Sequence, residues 1–125
     1  MVDNLNSFSN TNSYEHFLSI FLHAPVGICI FEGQEHIYKL TNEIYMNLLF
    51  GGHRDLIGKK VREALPEIKH LKYFDWLDQV YQSGKPISAK EAYVCLQQVD
   101  GSIKHFYLNL TCQPKKNFHH IDGII

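Results

Sequence analysis

The sequence predicts an α+β fold built around an antiparallel sheet. Three observations carry that reading: a turn signal at Gly33-Gln34 between two strand-like runs, helical spacing across the middle of the chain, and Asp100-Gly101 between two long strand-like runs. A hairpin at each end with helices between is how such a fold is written in sequence. At 125 residues and 45% hydrophobic the chain is one domain with enough apolar material for a core.

Asn, Ser and Thr dominate residues 3–13, which read as a disordered lead-in over 1–12 before a single domain over 13–125. Ser13 can cap a short amphipathic helix in which Tyr14, Phe17, Leu18 and Phe21 fall at i, i+3, i+4 and i+7. Pro25 ends it. Val26–Phe31 is a strand apolar on both faces, so its outer face needs a cover, from the preceding helix or from a second subunit. His36–Thr41 completes the hairpin. Asn42 is an N-cap signal for a helix over 43–50, with Ile44, Tyr45, Leu48 and Leu49 expected inward, and Gly51-Gly52 stops it.

Short helical turns, broken by Gly58 and Pro66, fill 55–71. Phe74, Leu77, Val80 and Tyr81 mark a helix over 73–83 that Gly84 closes. Strands follow at about 89–98 and 103–113. In the second, Phe106, Leu108, Leu110 and Cys112 alternate with Tyr107, Asn109, Thr111 and Gln113, one dry face and one wet. Pro114 is expected to end that strand and open a polar loop, after which Gly123-Ile124-Ile125 reads as a last strand barely begun.

Several function classes are disfavoured. Twelve basic residues against 13 acidic give no basic excess for nucleic acid or an anionic membrane. The first 13 residues lack the pattern of a signal peptide, and no apolar run approaches a membrane span. Three widely spaced cysteines in apolar runs suggest reduced, buried thiols in a cytoplasmic protein. "GGHRDLIGKK" (51–60) is not a phosphate loop: His53 stands where the leading Gly belongs, Lys60 replaces the Ser/Thr, and the stretch follows a helix. No nucleophile elbow, activated Cys or metal-ligand spacing is present, so neither catalysis nor a metal site is expected.

The strings "APVGICIF" (24–31), "LTNEIYMNLLF" (40–50), "RDLIGKKVREALPEI" (54–68), "VYQSGKP" (80–86), "DGSIKHFYLNLTCQP" (100–114) and "HIDGII" (120–125) come in an order and spacing that resembles a PAS domain of bacterial sensor histidine kinases. The resemblance implies a five-stranded antiparallel sheet of order 2-1-5-4-3, with helices on one face enclosing a small cavity. It implies a non-enzymatic sensory module of a two-component signal-transduction protein that binds a small molecule or dimerises, with a kinase-like output domain C-terminal to it. Pocket candidates on that basis are Cys29, Phe31, Tyr45, Tyr73, Trp76, Val94, Leu108 and Leu110. Candidates for the dimer or cover face are Tyr14, Phe17, Leu18, Phe21, Ile28 and Ile30.

Tyr73 stands where haem-binding relatives carry their His, with His70 about one turn earlier, and the Asn-Cys-Arg string of flavin-binding light sensors is missing. The resemblance therefore argues against haem and flavin and leaves an unknown small ligand or none. A pure dimerisation and relay module, a haem-binding gas sensor and, last, a small enzyme are the alternatives.

Overall fold

The computed structural model describes residues 15–117 and 120–125, without the side chains of residues 117 and 120. The expected lead-in over 1–12, the Ser13 cap and Tyr14 lie outside the described residues. Helix α1 (15–23) leads into the hairpin of β1 (Cys29–Glu32) and β2 (Ile37–Thr41). Then come α2 (Glu43–Phe50), α3 (Val61–Ala64), a 3-10 turn (Pro66–Ile68) and α4 (Tyr73–Ser83). The second half is β3 (Ile87–Gln97), β4 (Ile103–Cys112), β5 (Pro114–Asn117) and β6 (His120–Ile124).

All strand pairs are antiparallel. The sheets run β2-β1-β6-β5 and β3-β4, and they are joined because Gln113, the one residue between β4 and β5, exchanges two backbone hydrogen bonds with Ile125, at 2.9 and 2.8 Å. With β4 and β5 counted as one interrupted strand, the order is 2-1-5-4-3. The expected polar loop after Pro114 is instead β5, the second part of that interrupted strand. Pro lacks the amide that a central strand needs, but at the first position of a strand that lack costs little, and β6 supplies the partner. The short final strand sits between β1 and β5, near the middle of the sheet.

Local chemistry sets the ends of the helices. The Asn42 side chain accepts from the Tyr45 amide at 3.0 Å, and Gly51 and Gly84 close α2 and α4 in the left-handed region that Gly enters without strain. Asp100 closes the β3–β4 turn by accepting from the Ser102 amide at 2.9 Å and the Ser102 hydroxyl at 2.6 Å.

The facing of α2 differs from expectation. Met46, Leu49 and Phe50 are buried and Tyr45 packs against the core, whereas Ile44 is 39% and Leu48 51% exposed. Both sets obey helical spacing. What decides between them is where the Asn42 cap starts the helix relative to the sheet, a tertiary matter.

The core lies between the helices and the sheet. Phe31, Tyr38, Phe50, Leu56, Val61, Ile68, Phe74, Leu77, Val80, Val94, Leu96 and Ile124 form its centre. Gly123 pairs with Glu32 on β1, where a Cβ would overlap the Phe31 carbonyl oxygen. Gly123→Ala is therefore expected to pry β6 from β1 and cost about 1–3 kcal/mol. Urea unfolding checks this, with amide exchange of β1 rising in step.

Candidate functional site

Strand alternation points Cys29, Phe31 and Tyr38 at the helical layer, and the first turns of α2 aim Tyr45 back at them. The Tyr38 and Tyr45 hydroxyls meet at 2.7 Å, with Tyr45 close enough to the Cys29 thiol to influence its proton. Phe31 packs on Tyr38 at 4.7 Å between ring centres, and Phe50 on Tyr45 at 6.0 Å. The result is a chain of hydroxyls and a thiol inside an apolar shell. On its far side Cys112 and Tyr73 pack against the same core, and the Tyr73 hydroxyl donates to the Tyr93 carbonyl on the edge of β3 at 2.8 Å.

Burial keeps these groups neutral. It pushes the Cys29 thiol up to about 12, with the nearby Cys112 adding to the effect and the Tyr45 hydroxyl opposing it. Tyr38 and Tyr45 are raised well above the ordinary phenol value, Tyr73 goes up to about 12, and Cys112 is raised as well, in each case chiefly by burial. No group here is a thiolate or a phenolate at neutral pH, so none is primed as a nucleophile.

Six of the eight pocket candidates converge on this core: Phe31 and Val94 buried within it, and Cys29, Tyr45, Tyr73 and Leu108 packed against it. Trp76 and Leu110 are half-buried outside it. Trp76 instead sets its ring edge against Tyr73 at 5.2 Å. Tyr38 was missed, although it falls on the inward side of a period-two run from His36 to Leu40, and that spacing could have found it.

Two charged clamps frame the core. Arg54 donates to both carboxylate oxygens of Glu67, at 2.5 and 3.0 Å, and to the Ala64 carbonyl at 2.6 Å, with its guanidinium over the Phe50 ring. Glu67 also accepts from the Gln97 amide at 2.9 Å, so the pair covers the outer edge of β3. Burial alone would raise the Glu67 carboxyl. Hydrogen bonds from Arg54 and Gln97, with the Arg54 charge, outweigh it and hold the group below its ordinary value of 4.5. Because the folded value is depressed, its stabilisation is complete above that ordinary value and is lost as pH falls through the folded one. The stability gap between the native chain and Glu67→Gln, about 1–2 kcal/mol, should therefore be present at neutral pH and close in acid. Urea midpoints measured across that range check it.

At the second clamp, His36 is fully buried with a left-handed φ of 55°, and its Nε2 lies 2.7 Å from Asp78, which also accepts from Arg62 at 2.7 Å. His36 Nδ1 has no hydrogen-bond partner among the described residues. Burial would raise the Asp78 carboxyl, but the His36 and Arg62 contacts together bring it below the ordinary range. Above this clamp a surface groove of about 590 Å³ is lined by Gln34, Glu35, Arg62, Asp78, Tyr81 and Gln82. Neither clamp has a local sequence signal, since the partners stand 13 and 42 residues apart.

The cover face is divided. Phe21 (3% exposed) and Ile30 (4%) are buried, and neither belongs to the main core. Ile30 points away from Phe31 along β1, so its burial means that the outer face there is already covered within one chain. Asn42 explains how α1 is held in place: its amide donates to the Phe21 and Val26 carbonyls at 3.2 and 2.7 Å, while its oxygen accepts from Ile28 at 2.9 Å and from Tyr45. Leu18 and Ile28 are half-buried, and Phe17 is 44% exposed.

Among the described residues no group of three or more His, Cys, Asp or Glu side chains could hold a metal, and no helix is long and apolar enough to cross a membrane. Lys59 and Lys60 make surface ion pairs with Asp55 and Glu35 at 3.2 and 2.9 Å.

No family model matches the chain. Solved structures do. A PAS domain of a protein from Colwellia psychrerythraea matches with a TM-score of 0.60 at 16% identity, over 90% of this chain and 92% of that one. A domain of a sensory box sensor histidine kinase/response regulator from Geobacter sulfurreducens matches with a TM-score of 0.60 at 19% identity, over 97% and 96%. The Vibrio cholerae VqmA dimer, among LuxR-type receptors, matches with a TM-score of 0.62 at 18% identity over 88% of this chain, which spans only about half of VqmA (48%). VqmA is also known bound to DPO. Light-oxygen-voltage receptors match too, at 11% and 12% identity. The fold is that of PAS domains.

Proposed function

We propose that this PAS-fold chain is the sensory module of a bacterial signal-transduction protein, taking a small molecule against the Tyr38–Tyr45–Cys29 cluster and pairing with a second copy. The carrying observation is that cluster: hydrogen-bonding groups collected inside an apolar shell, with candidates from both strands and helices converging on them. The output would be of the histidine kinase type, in the cytoplasm. The Geobacter domain supports that context, and VqmA supports both ligand binding and dimerisation, as analogies of fold. On this reading the chain senses rather than catalyses, and its interior thiols and phenols, raised by burial, serve as neutral hydrogen-bonding groups.

The test is thermal unfolding with a small-molecule extract of the expressing cells. A ligand that binds only the folded state raises Tm. The extract should stabilise the native chain more than Tyr45→Phe; equal shifts would remove the cluster from the proposal. For pairing, ultracentrifugation should show a dimer weakened by Phe17→Asp, and a clean monomer at high concentration contradicts it.

A specific observation favours a second reading. Tyr38 and Phe50 have essentially no exposed surface, and the groove at Asp78 lies on the outside. A core filled by its own side chains is what a pure dimerisation and relay module needs.

A further inference from the structure

Independently of the interior cluster, we infer that the surface groove above His36 is a ligand site for a zwitterion of the α-amino acid type. Three elements build it. Gln34 and Glu35 come from the β1–β2 turn, Arg62 from α3, and Asp78, Tyr81 and Gln82 from α4, where i, i+3, i+4 spacing sets them on one face. Its volume of about 590 Å³ lies within the range of small-molecule sites. Asp78 and Tyr81 both line the groove and touch His36, by the 2.7 Å hydrogen bond and by ring centres 6.0 Å apart, so the buried imidazole lies beneath it. Two costs meet at that imidazole: a left-handed φ at a residue other than Gly, and an Nδ1 buried without a partner. Such costs persist where a site needs the geometry, and this geometry fixes Asp78 at the floor of the groove.

The charges choose the ligand. Asp78 accepts one bond on each carboxylate oxygen, from His36 and from Arg62, and each oxygen keeps capacity for another donor. Arg62 spends one of its five N–H groups on Asp78, and its side chain is 46% exposed. Glu35 stands in the same wall with Lys60 paired to it at 2.9 Å. A lone anion in the groove meets two carboxylates, and a lone cation meets Arg62 and Lys60. A small molecule carrying both charges satisfies both signs: its carboxylate takes the remaining N–H groups of Arg62, and its ammonium takes Asp78 and Glu35. Gln34, Gln82 and Tyr81 then offer amide and hydroxyl groups to its side chain. Exposed ion pairs are weak, so the affinity expected is millimolar.

Each common α-amino acid, at about 10 mM, is added to the full chain and followed by amide NMR at Gln34, Arg62, Asp78 and Gln82. The best binder is then compared with its carboxamide, which lacks the negative charge, and its N-acetyl form, which lacks the positive one. Shifts are expected at the groove while the Cys29 and Tyr45 signals stay still, with both derivatives at least about tenfold weaker. Arg62→Gln, checked for native spectra, should narrow the gap between the amino acid and its carboxamide. His36→Asn tolerates the left-handed backbone but ends short of Asp78, so it should narrow the gap to the N-acetyl form. A merely structural role would move all three ligands together. No shift at the groove with any amino acid, a derivative matching its parent, or gaps that both variants leave unchanged would overturn the inference, and each leaves the interior reading untouched.

Discussion

Asn42→Ala is expected to destabilise the chain by about 3–5 kcal/mol, far beyond the loss of one helix cap. The side chain is 1% exposed and serves four backbone groups: the Ile28 and Tyr45 amides and the Phe21 and Val26 carbonyls. Removing it strips a partner from each, and buried backbone groups without partners are costly. Asn42→Ser should restore only the cap, about 1 kcal/mol, because a hydroxyl cannot donate to two carbonyls. Asn42→Asp keeps the accepted bonds, loses both donated ones and buries a charge, so it should be no better than Ala. Urea unfolding orders the three variants. Amide exchange then separates the pieces: α1 should lose protection in Asn42→Ser while α2 keeps it. Equal behaviour of Ser and Asn at position 42 would mean that α1 is not held by this side chain.

The second large effect is Phe50→Ala, expected to cost about 3–5 kcal/mol. Phe50 is wholly buried at the end of α2, edge-on to Tyr45 and under the Arg54 guanidinium at 5.2 Å. Truncation leaves a cavity beside the hydroxyl pair and removes the ring on which Arg54 rests. Phe50→Leu keeps most of the volume and should cost about 1 kcal/mol. The two variants also bear on function. On the sensory reading, the added space next to Tyr45 should change ligand affinity; on the relay reading, it should only soften the core. Thermal unfolding with and without the small-molecule extract distinguishes them.

Much of this architecture is legible in the sequence wherever the signal is local. Asn42 announces α2, Gly51 and Gly84 end their helices, Asp100-Gly101 turns the second hairpin, and Phe106 to Cys112 alternate as a half-dry strand. The readings that needed correction depend on partners distant in the chain. Pro114–Asn117 looks like a polar loop until β6 comes alongside and pairs with it. Ile44 and Leu48 carry the same helical spacing as the residues that do turn inward, so spacing alone cannot rank the two faces. The Arg54–Glu67 and His36–Asp78 clamps join elements that only folding brings together. For the candidate site, strand and helix periodicity gathered most of the cluster, while Trp76 and Leu110 show how a correct period can still point past the core.

The measurement that tests the account most directly is native mass spectrometry of the purified chain, reading bound mass and subunit count together. The account predicts a dimer carrying a reproducible small mass on each subunit, reduced in Tyr45→Phe. A bare chain, or a bound mass that Tyr45→Phe leaves untouched, would contradict it.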